Sequence, residues 1–265
     1  MEKLSITNPF DRAPVYYLSR TDSTMNEAAA VAARGASPGT VVAAGFQSAG
    51  RGRFVERKWI SAPGEGLLFT LMLDPGMYEK PPLITPLLAG LGVALFVEGK
   101  TGRECFLKWP NDVITGGGKV SGILCEYKDN IAYIGIGINC LQSAPDGGSG
   151  VSASDSTSAQ FQHRLPPVSL KELGAAGVEP LTILEEVLYS LKRAFTSIDP
   201  VSEIGAKLFM RNREVTVLTG VPGKQESVHG VLEGLGANGQ LLIRQTENDR
   251  RREIYSGELS VSEFR

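Results

Sequence analysis

Apolar residues gather in short runs along the first half of the chain, at 15–18, 40–46, 66–73, 105–109, 120–127 and 131–138. Runs of this length, rich in Val, Ile, Leu and Phe and bounded by Gly, Pro, Asn or Asp, predict strands, with those at 40–46 and 66–73 buried. Asp129-Asn130 between the last two predicts a hairpin. Three other stretches keep a helical period. An alanine-rich helix follows Asp22-Ser23 and stops near Gly35, with Thr24 and Glu27 at capping-box spacing. A second helix spans 83–98 with Pro86 in its first turn, and an amphipathic third spans 181–198.

Beyond the third helix the pattern changes to short alternating runs at 213–218, 228–235, 240–245 and 254–261, divided by Pro222-Gly223 and Asn238-Gly239. The second pair is a strong hairpin signal. This spacing predicts a small all-β barrel. The boundary falls near Met210, giving an α+β unit over 1–210 and a barrel over 211–265. Residues 143–158, rich in Ser, Gly and Ala, predict a mobile surface loop.

A chain of 265 residues accommodates this pairing of one larger and one smaller domain. The net charge of -2 and pI near 5.8 give no global attraction to nucleic acid or to an anionic membrane. Met1 to Pro14 is mostly polar, and Gly, Pro or charge interrupts the later apolar stretches, so the expected location is cytoplasmic with no membrane partner. Cys105, Cys125 and Cys140 lie in apolar runs far from His163 and His229, which predicts buried thiols and no metal site. The same isolation argues against a triad hydrolase or a zinc enzyme.

Candidate chemistry concentrates in three segments. Gln47-Ser48-Ala49-Gly50-Arg51-Gly52-Arg53-Phe54-Val55-Glu56-Arg57-Lys58-Trp59 spaces arginines with glycines between two apolar strands. Glycines let backbone wrap closely on a ligand, and each guanidinium offers a planar fork suited to carboxylate or phosphate. Lys108-Trp109-Pro110-Asn111-Asp112-Val113 follows, and then, after Gly116-Gly117-Gly118, Lys119-Val120-Ser121-Gly122-Ile123-Leu124. Together they point to chemistry at a nucleotide phosphate.

In this order, with Ser23-Thr24 before them and Gly135-Ile136-Gly137-Ile138-Asn139 and Gly257-Glu258-Leu259-Ser260 after them, these segments resemble the biotin protein ligases. The resemblance is to the short type without an N-terminal DNA-binding domain. It implies a mixed β-sheet flanked by helices, related to class II aminoacyl-tRNA synthetases and lipoate ligases, with a C-terminal SH3-like β-barrel. It implies that biotin and ATP form biotinyl-adenylate and pyrophosphate, and that biotin then passes to one lysine of a biotin carboxyl carrier domain. Monomer and homodimer are both left open.

Carried over residue by residue, the resemblance implies a biotin site of Ser23, Thr24, Gln47, Arg51, Gly52, Arg53 and Lys119. ATP falls to Arg53, Arg57, Trp59, Lys108, Asn111, Asn139 and Lys119, with Mg²⁺ on the polyphosphate. Catalysis falls to Lys119, Arg51, Arg53 and Asp112, because a carboxylate approaching an α-phosphate needs fixed positive charge. Trp59 is suited to covering adenine. Two departures from the family pattern stand out: Phe54-Val55-Glu56 lengthens the arginine loop, and Met25 intervenes between Thr24 and Asn26. Plainer readings compete: Ser23 and Thr24 as helix caps, Asp112 as a partner of Lys108, Lys119 as a solvated turn residue, and Trp59 as core. A lipoate or octanoate ligase is the nearest alternative. A nucleic-acid-binding regulator is the alternative from another class, but no basic face or helix-turn-helix is evident, and the short N-terminus is expected to leave no room for one.

Overall fold

The structure, a computed structural model, describes residues 1–54, 57–78, 80–142, 165–221 and 224–260. Eight strands form one mixed sheet: β1 (Glu2–Leu4), β2 (Val15–Leu18), β3 (Val41–Ala44), β4 (Gly66–Leu73), β5 (Phe106–Lys108), β6 (Asp112–Thr115), β7 (Gly118–Lys128) and β8 (Ile131–Asn139). Their order is β1-β2-β3-β4-β8-β7-β6-β5. Only β2 and β3 run parallel, because the crossover helix α1 (Thr24–Ala33) joins them. β3 and β4 are buried at every position, as continuous apolar runs in the middle of a covered sheet should be. The β7–β8 hairpin turns at Asp129 and Asn130, both with positive φ, as their residue types predict. β1 and β6 were not legible in the hydrophobic pattern.

The start of α1 corrects the capping expectation by one residue. Ser23 is the N-cap and accepts from Met25 N, while Glu27 turns away to take the Thr21 hydroxyl at 2.9 Å. Thr24 is thereby released from capping.

On the opposite face of the sheet, α3 (Thr85–Thr101) lies between the sheet and α4 (Leu184–Phe195). The span 82–101 is apolar and long enough to cross a membrane, but it is a core helix here, buried on nearly every side. Gly92 allows the tight α3–α4 crossing, since a Cβ there would stand 2.7 Å from Leu191 Cα. Two short helices, α2 (Pro75–Tyr78) and α5 (Pro200–Ala206), complete the α-helices among the described residues, and a 3-10 turn over Pro82–Ile84 leads into α3.

The C-terminal strands β9 (Glu214–Val221), β10 (Lys224–Leu235), β11 (Leu241–Gln245), β12 (Arg251–Ile254) and β13 (Glu258–Leu259) form an antiparallel sheet in the order β12-β11-β10-β9-β13. Among the described residues this is an open sheet, with β12 and β13 at its edges, where a closed SH3-like barrel was expected. The single strand expected at 254–261 is split. At Gly257, φ is 158° and a Cβ would stand 2.6 Å from Leu218 O, so glycine lets the chain leave β12 and pair with β9 instead. The turn expected at Pro222-Gly223 and the loop expected at 143–158 lie outside the described residues.

This second sheet is packed onto the first. Trp109, fully buried, donates its indole N–H to Gly239 O at 3.1 Å. Leu107 exchanges backbone hydrogen bonds with Lys207 and Phe209. The hydrophobic core runs without interruption from Phe69 and Ile136 through Trp109 to Val217, Leu241 and Leu259. Cys105 and Cys140 are buried free thiols and Cys125 is partly buried; burial pushes all three thiols up, Cys105 and Cys140 to about 12.

Candidate active site

Directly paired residues in a sheet share a face. The register therefore draws one row across the sheet: Leu18, Ala44, Leu68, Gly137, Gly122, Asp112 and Lys108. The neighbouring row holds Val42, Thr70, Gly135 and Leu124. α1 covers part of this face, packing Met25, Ala28 and Val31 on Val42, Met72 and Tyr133. Met25, the departure from the family pattern, fills the space above Gly135, where a Cβ would stand 2.9 Å from its sulfur. The glycines of the first row leave a flat floor beside it.

Lys119 reaches this face through a bulge. It lies three residues before Gly122, so regular alternation would send it to the opposite side. The β6–β7 register shifts between Val113 and Ile114, and Lys119 pairs with Ile114 while Val120 turns into the core. The extra residue re-aims the lysine. Its Nζ comes 2.7 Å from Asp112 Oδ1 and 5.6 Å from the centre of the Trp59 ring. Burial raises the Asp112 carboxyl, but the charges of Lys119 and Lys108 outweigh that and hold it below its ordinary value. Lys108 is only 6% exposed; burial lowers its ammonium, against the opposing pull of Asp112.

Trp59 lies directly on the floor. A Cβ at Gly137 would stand 2.5 Å from its Cε2, and one at Gly122 would stand 2.9 Å from its Cζ3. Trp59 Nε1 and Ser61 Oγ are buried without a hydrogen-bond partner among the described residues.

The arginine segment forms a strap over the same face. Arg51 bridges Lys58, Gly52 N donates to Arg57 O at 2.8 Å, and Trp59 N donates to Gly50 O at 3.1 Å. Gly50 and Gly52 are required by this closeness, since their Cβ atoms would meet Trp59 O at 2.5 Å and Arg57 Cβ at 2.9 Å. The three guanidiniums diverge. Arg51 pairs with Glu126 on β7, Arg53 donates to Gly257 O at 2.6 Å, and Arg57 donates to both oxygens of Glu258 at 2.8 and 2.5 Å. Phe54, part of the other departure, stands under both Arg53 and Arg57, at 4.6 and 4.7 Å from its ring centre. Burial lowers the Arg53 guanidinium and Glu258 opposes the shift. Val55 and Glu56 lie outside the described residues.

At the head of α1, Gln47 Oε1 accepts from Thr24 N at 2.7 Å and from Thr24 Oγ1 at 3.0 Å, and Thr24 Oγ1 also accepts from Thr70. Thr24 and Gln47 thus meet beside the glycine floor, with Ser23, the N-cap, next to them in the chain. Two expected ATP residues are turned to the backbone. Asn111 Nδ2 donates to Ile123 O at 2.8 Å, and Asn139 Nδ2 donates to Lys119 O at 3.0 Å and to Val168 O at 3.3 Å. They brace the strands that carry Asp112 and Lys119. Two carboxylates, Glu126 and Glu258, were not singled out from sequence, though Glu258 sits in the quoted Gly-Glu-Leu-Ser motif. No local pattern marks them, because their arginine partners are 75 and 201 residues away.

The biotin/lipoate A/B protein ligase family matches residues 17–141 of this chain. The biotin--[acetyl-CoA-carboxylase] ligase of Paracoccus denitrificans is 32% identical over 239 residues, which cover 86% of this chain and 92% of that protein. The bifunctional ligase/repressor BirA of Bacillus subtilis is 31% identical over 254 residues, 92% of this chain and 72% of that protein. Among solved structures, the biotin protein ligase from Aquifex aeolicus in complex with biotin and ATP superposes with a TM-score of 0.72 at 30% identity, over 93% of this chain and 97% of that one. Likeness on this scale, in sequence over nearly the whole of a relative and in fold, means that the chain belongs to the biotin/lipoate A/B protein ligase family, among its biotin protein ligases.

Proposed function

We propose that this chain activates biotin with ATP and transfers it to a lysine of a biotin carboxyl carrier domain. The carrying observation is the Lys119–Asp112 pair beside Trp59, on a glycine floor closed over by an arginine strap. A biotin carboxylate oxygen attacks the α-phosphorus, a C–O–P mixed anhydride forms, and the bond to the β-phosphate oxygen breaks to release pyrophosphate. The carrier lysine then attacks the acyl carbon, an amide forms, its proton is lost to solvent or a nearby base, and AMP leaves.

Lys119 is assigned to the meeting point of carboxylate and α-phosphate, where a fixed charge offsets the repulsion between two anions. Asp112 holds it there through their 2.7 Å ion pair. Ser23, Thr24, Gln47, Arg51 and Gly52 are assigned to biotin; the Gln47 amide nitrogen, whose oxygen partner is already spent on Thr24, suits the ureido oxygen. Arg53, Arg57 and Lys108 are assigned to the phosphates, with Arg53 also at the carboxylate. Trp59 presents an indole to adenine, laid flat by Gly122 and Gly137. Asn111 and Asn139 act through the strands they brace.

A single ionised carboxylate facing bound phosphates is a donor set that suits Mg²⁺, which commonly takes one or two carboxylates together with substrate phosphates. Asp112 would be that carboxylate, and the ion would neutralise polyphosphate charge. The reading divides the chain into a catalytic unit over 1–210 and an SH3-like unit over 211–265, its described strands an open sheet, that helps close the nucleotide site, in a cytoplasmic enzyme without a nucleic-acid or membrane partner.

The test is incubation with biotin, ATP and a carrier domain, followed by mass spectrometry. One added biotin is expected, with AMP and pyrophosphate formed only when biotin is present. Preferential attachment of lipoate or octanoate under the same conditions would overturn the substrate assignment.

A further inference from the structure

We infer that Glu126 is a positioning residue for the biotin half of the site, holding Arg51 and the strap behind it over the glycine floor. The inference rests on the ligase reading above. Arg51 and Glu126 form a two-pronged pair, Nη1 to Oε1 at 3.1 Å and Nη2 to Oε2 at 3.3 Å. Gly122, Leu124 and Glu126 alternate along β7, so Glu126 shares the site face, at the opposite end of the strand from Lys119.

The strap is consequently tied at two separate places. Arg57 and Arg53 anchor it to β13 through Glu258 and Gly257 O, while Arg51 anchors it to β7 through Glu126. The β7 anchor lies next to the biotin residues. Gly50, the residue before Arg51, has its Cβ position 3.2 Å from Gln47 Nε2 and 2.5 Å from Trp59 O. A shift of Arg51 therefore moves the backbone packed on Gln47, the residue assigned to the ureido group. The β13 anchor bears on the residues assigned to phosphate instead.

The pair is about two-fifths exposed on each side, so it opens readily and weakens with salt. Its geometry nevertheless exceeds that of a single-contact surface pair, because both guanidinium nitrogens are engaged. A contribution just above the middle of the range for exposed pairs corresponds to a change of about threefold in ligand retention.

The experiment is biotin dissociation from the full chain, followed by chase with excess unlabelled biotin, together with ATP affinity measured alone. Glu126→Gln should release biotin about threefold faster at low salt, with ATP affinity and melting temperature unchanged. Wild-type release should rise toward that of the variant in about 0.5 M NaCl, where screening removes the pair, while release from the variant stays flat. Glu126→Gln combined with Arg51→Gln should release biotin no faster than Arg51→Gln alone. Unchanged release from Glu126→Gln, multiplying effects in the double variant, or a parallel loss of ATP affinity and stability would each overturn the inference. If the wild type binds no biotin, the ligase reading falls and this inference with it; normal wild-type binding beside an unaltered variant removes only the inference.

Discussion

Arg57 and Glu258 stand 201 residues apart in the chain and meet in a two-pronged pair at 2.8 and 2.5 Å. The pair joins the arginine strap of the large sheet to the edge strand β13 of the second. Burial alone would raise the Glu258 carboxyl, but hydrogen bonding from Arg57 and the nearby charges of Lys108 and Arg53 outweigh it and hold it below its ordinary 4.5. Glu258→Gln should leave a guanidinium without its ionic partner and let the strap swing, weakening ATP binding about fivefold. Calorimetric titration checks this. Tighter binding in the variant would mean that Glu258 competes with phosphate for Arg57 rather than placing it.

The same carboxyl sets a pH dependence. Its folded value is depressed, so the stability it contributes is present above the ordinary value and is lost as pH falls through the lower folded one; Asp112 has the same sign. Melting temperature should therefore fall as the solution is acidified below about pH 4.5, and the Glu258→Gln curve should lie under the wild type near neutrality and converge with it in acid. Parallel curves at all pH values would rule out the pairing as the cause.

Lys119→Ala removes the charge assigned to the transition state of adenylation. Loss of such a contact costs on the order of 3 kcal/mol, about a hundredfold in rate. Single-turnover pyrophosphate release should slow by that factor while far-UV circular dichroism stays unchanged. An unaltered rate would leave Lys119 with only its ion pair to Asp112 and remove it from the adenylation step.

Gly137→Ala places a methyl group where Trp59 Cε2 is only 2.5 Å away. The indole must lift off the floor, since backbone lies on the other side, and overpacking of this kind costs roughly 1–3 kcal/mol. Adenylate formation should drop at least about tenfold, which corresponds to about 1.4 kcal/mol, and Trp59 fluorescence should shift toward solvent. Full activity with an unchanged spectrum would show that the floor does not govern where the indole lies.

Much of this protein is local and was readable. Continuous apolar runs had to be strands, Asp129-Asn130 had to turn, and the apolar period of residues 83–98 had to be a helix, because each follows from side-chain spacing and backbone preference within a few residues. The motif order likewise set Trp59, Asp112 and Lys119 in one candidate site, and the structure puts these three together on the glycine floor. The tertiary structure decided what depends on partners far along the chain. A bulge at Val120, visible only in the pairing of β7 with β6, turns Lys119 to the site instead of the core. The three arginines, alike in sequence, part to Glu126, Gly257 and Glu258, and two asparagines spend their amides on backbone rather than facing outward. Sequence spacing sets which residues share an element and a face; which charge meets which is set by how sheets stack and strands register, where interactions across hundreds of residues leave no local pattern.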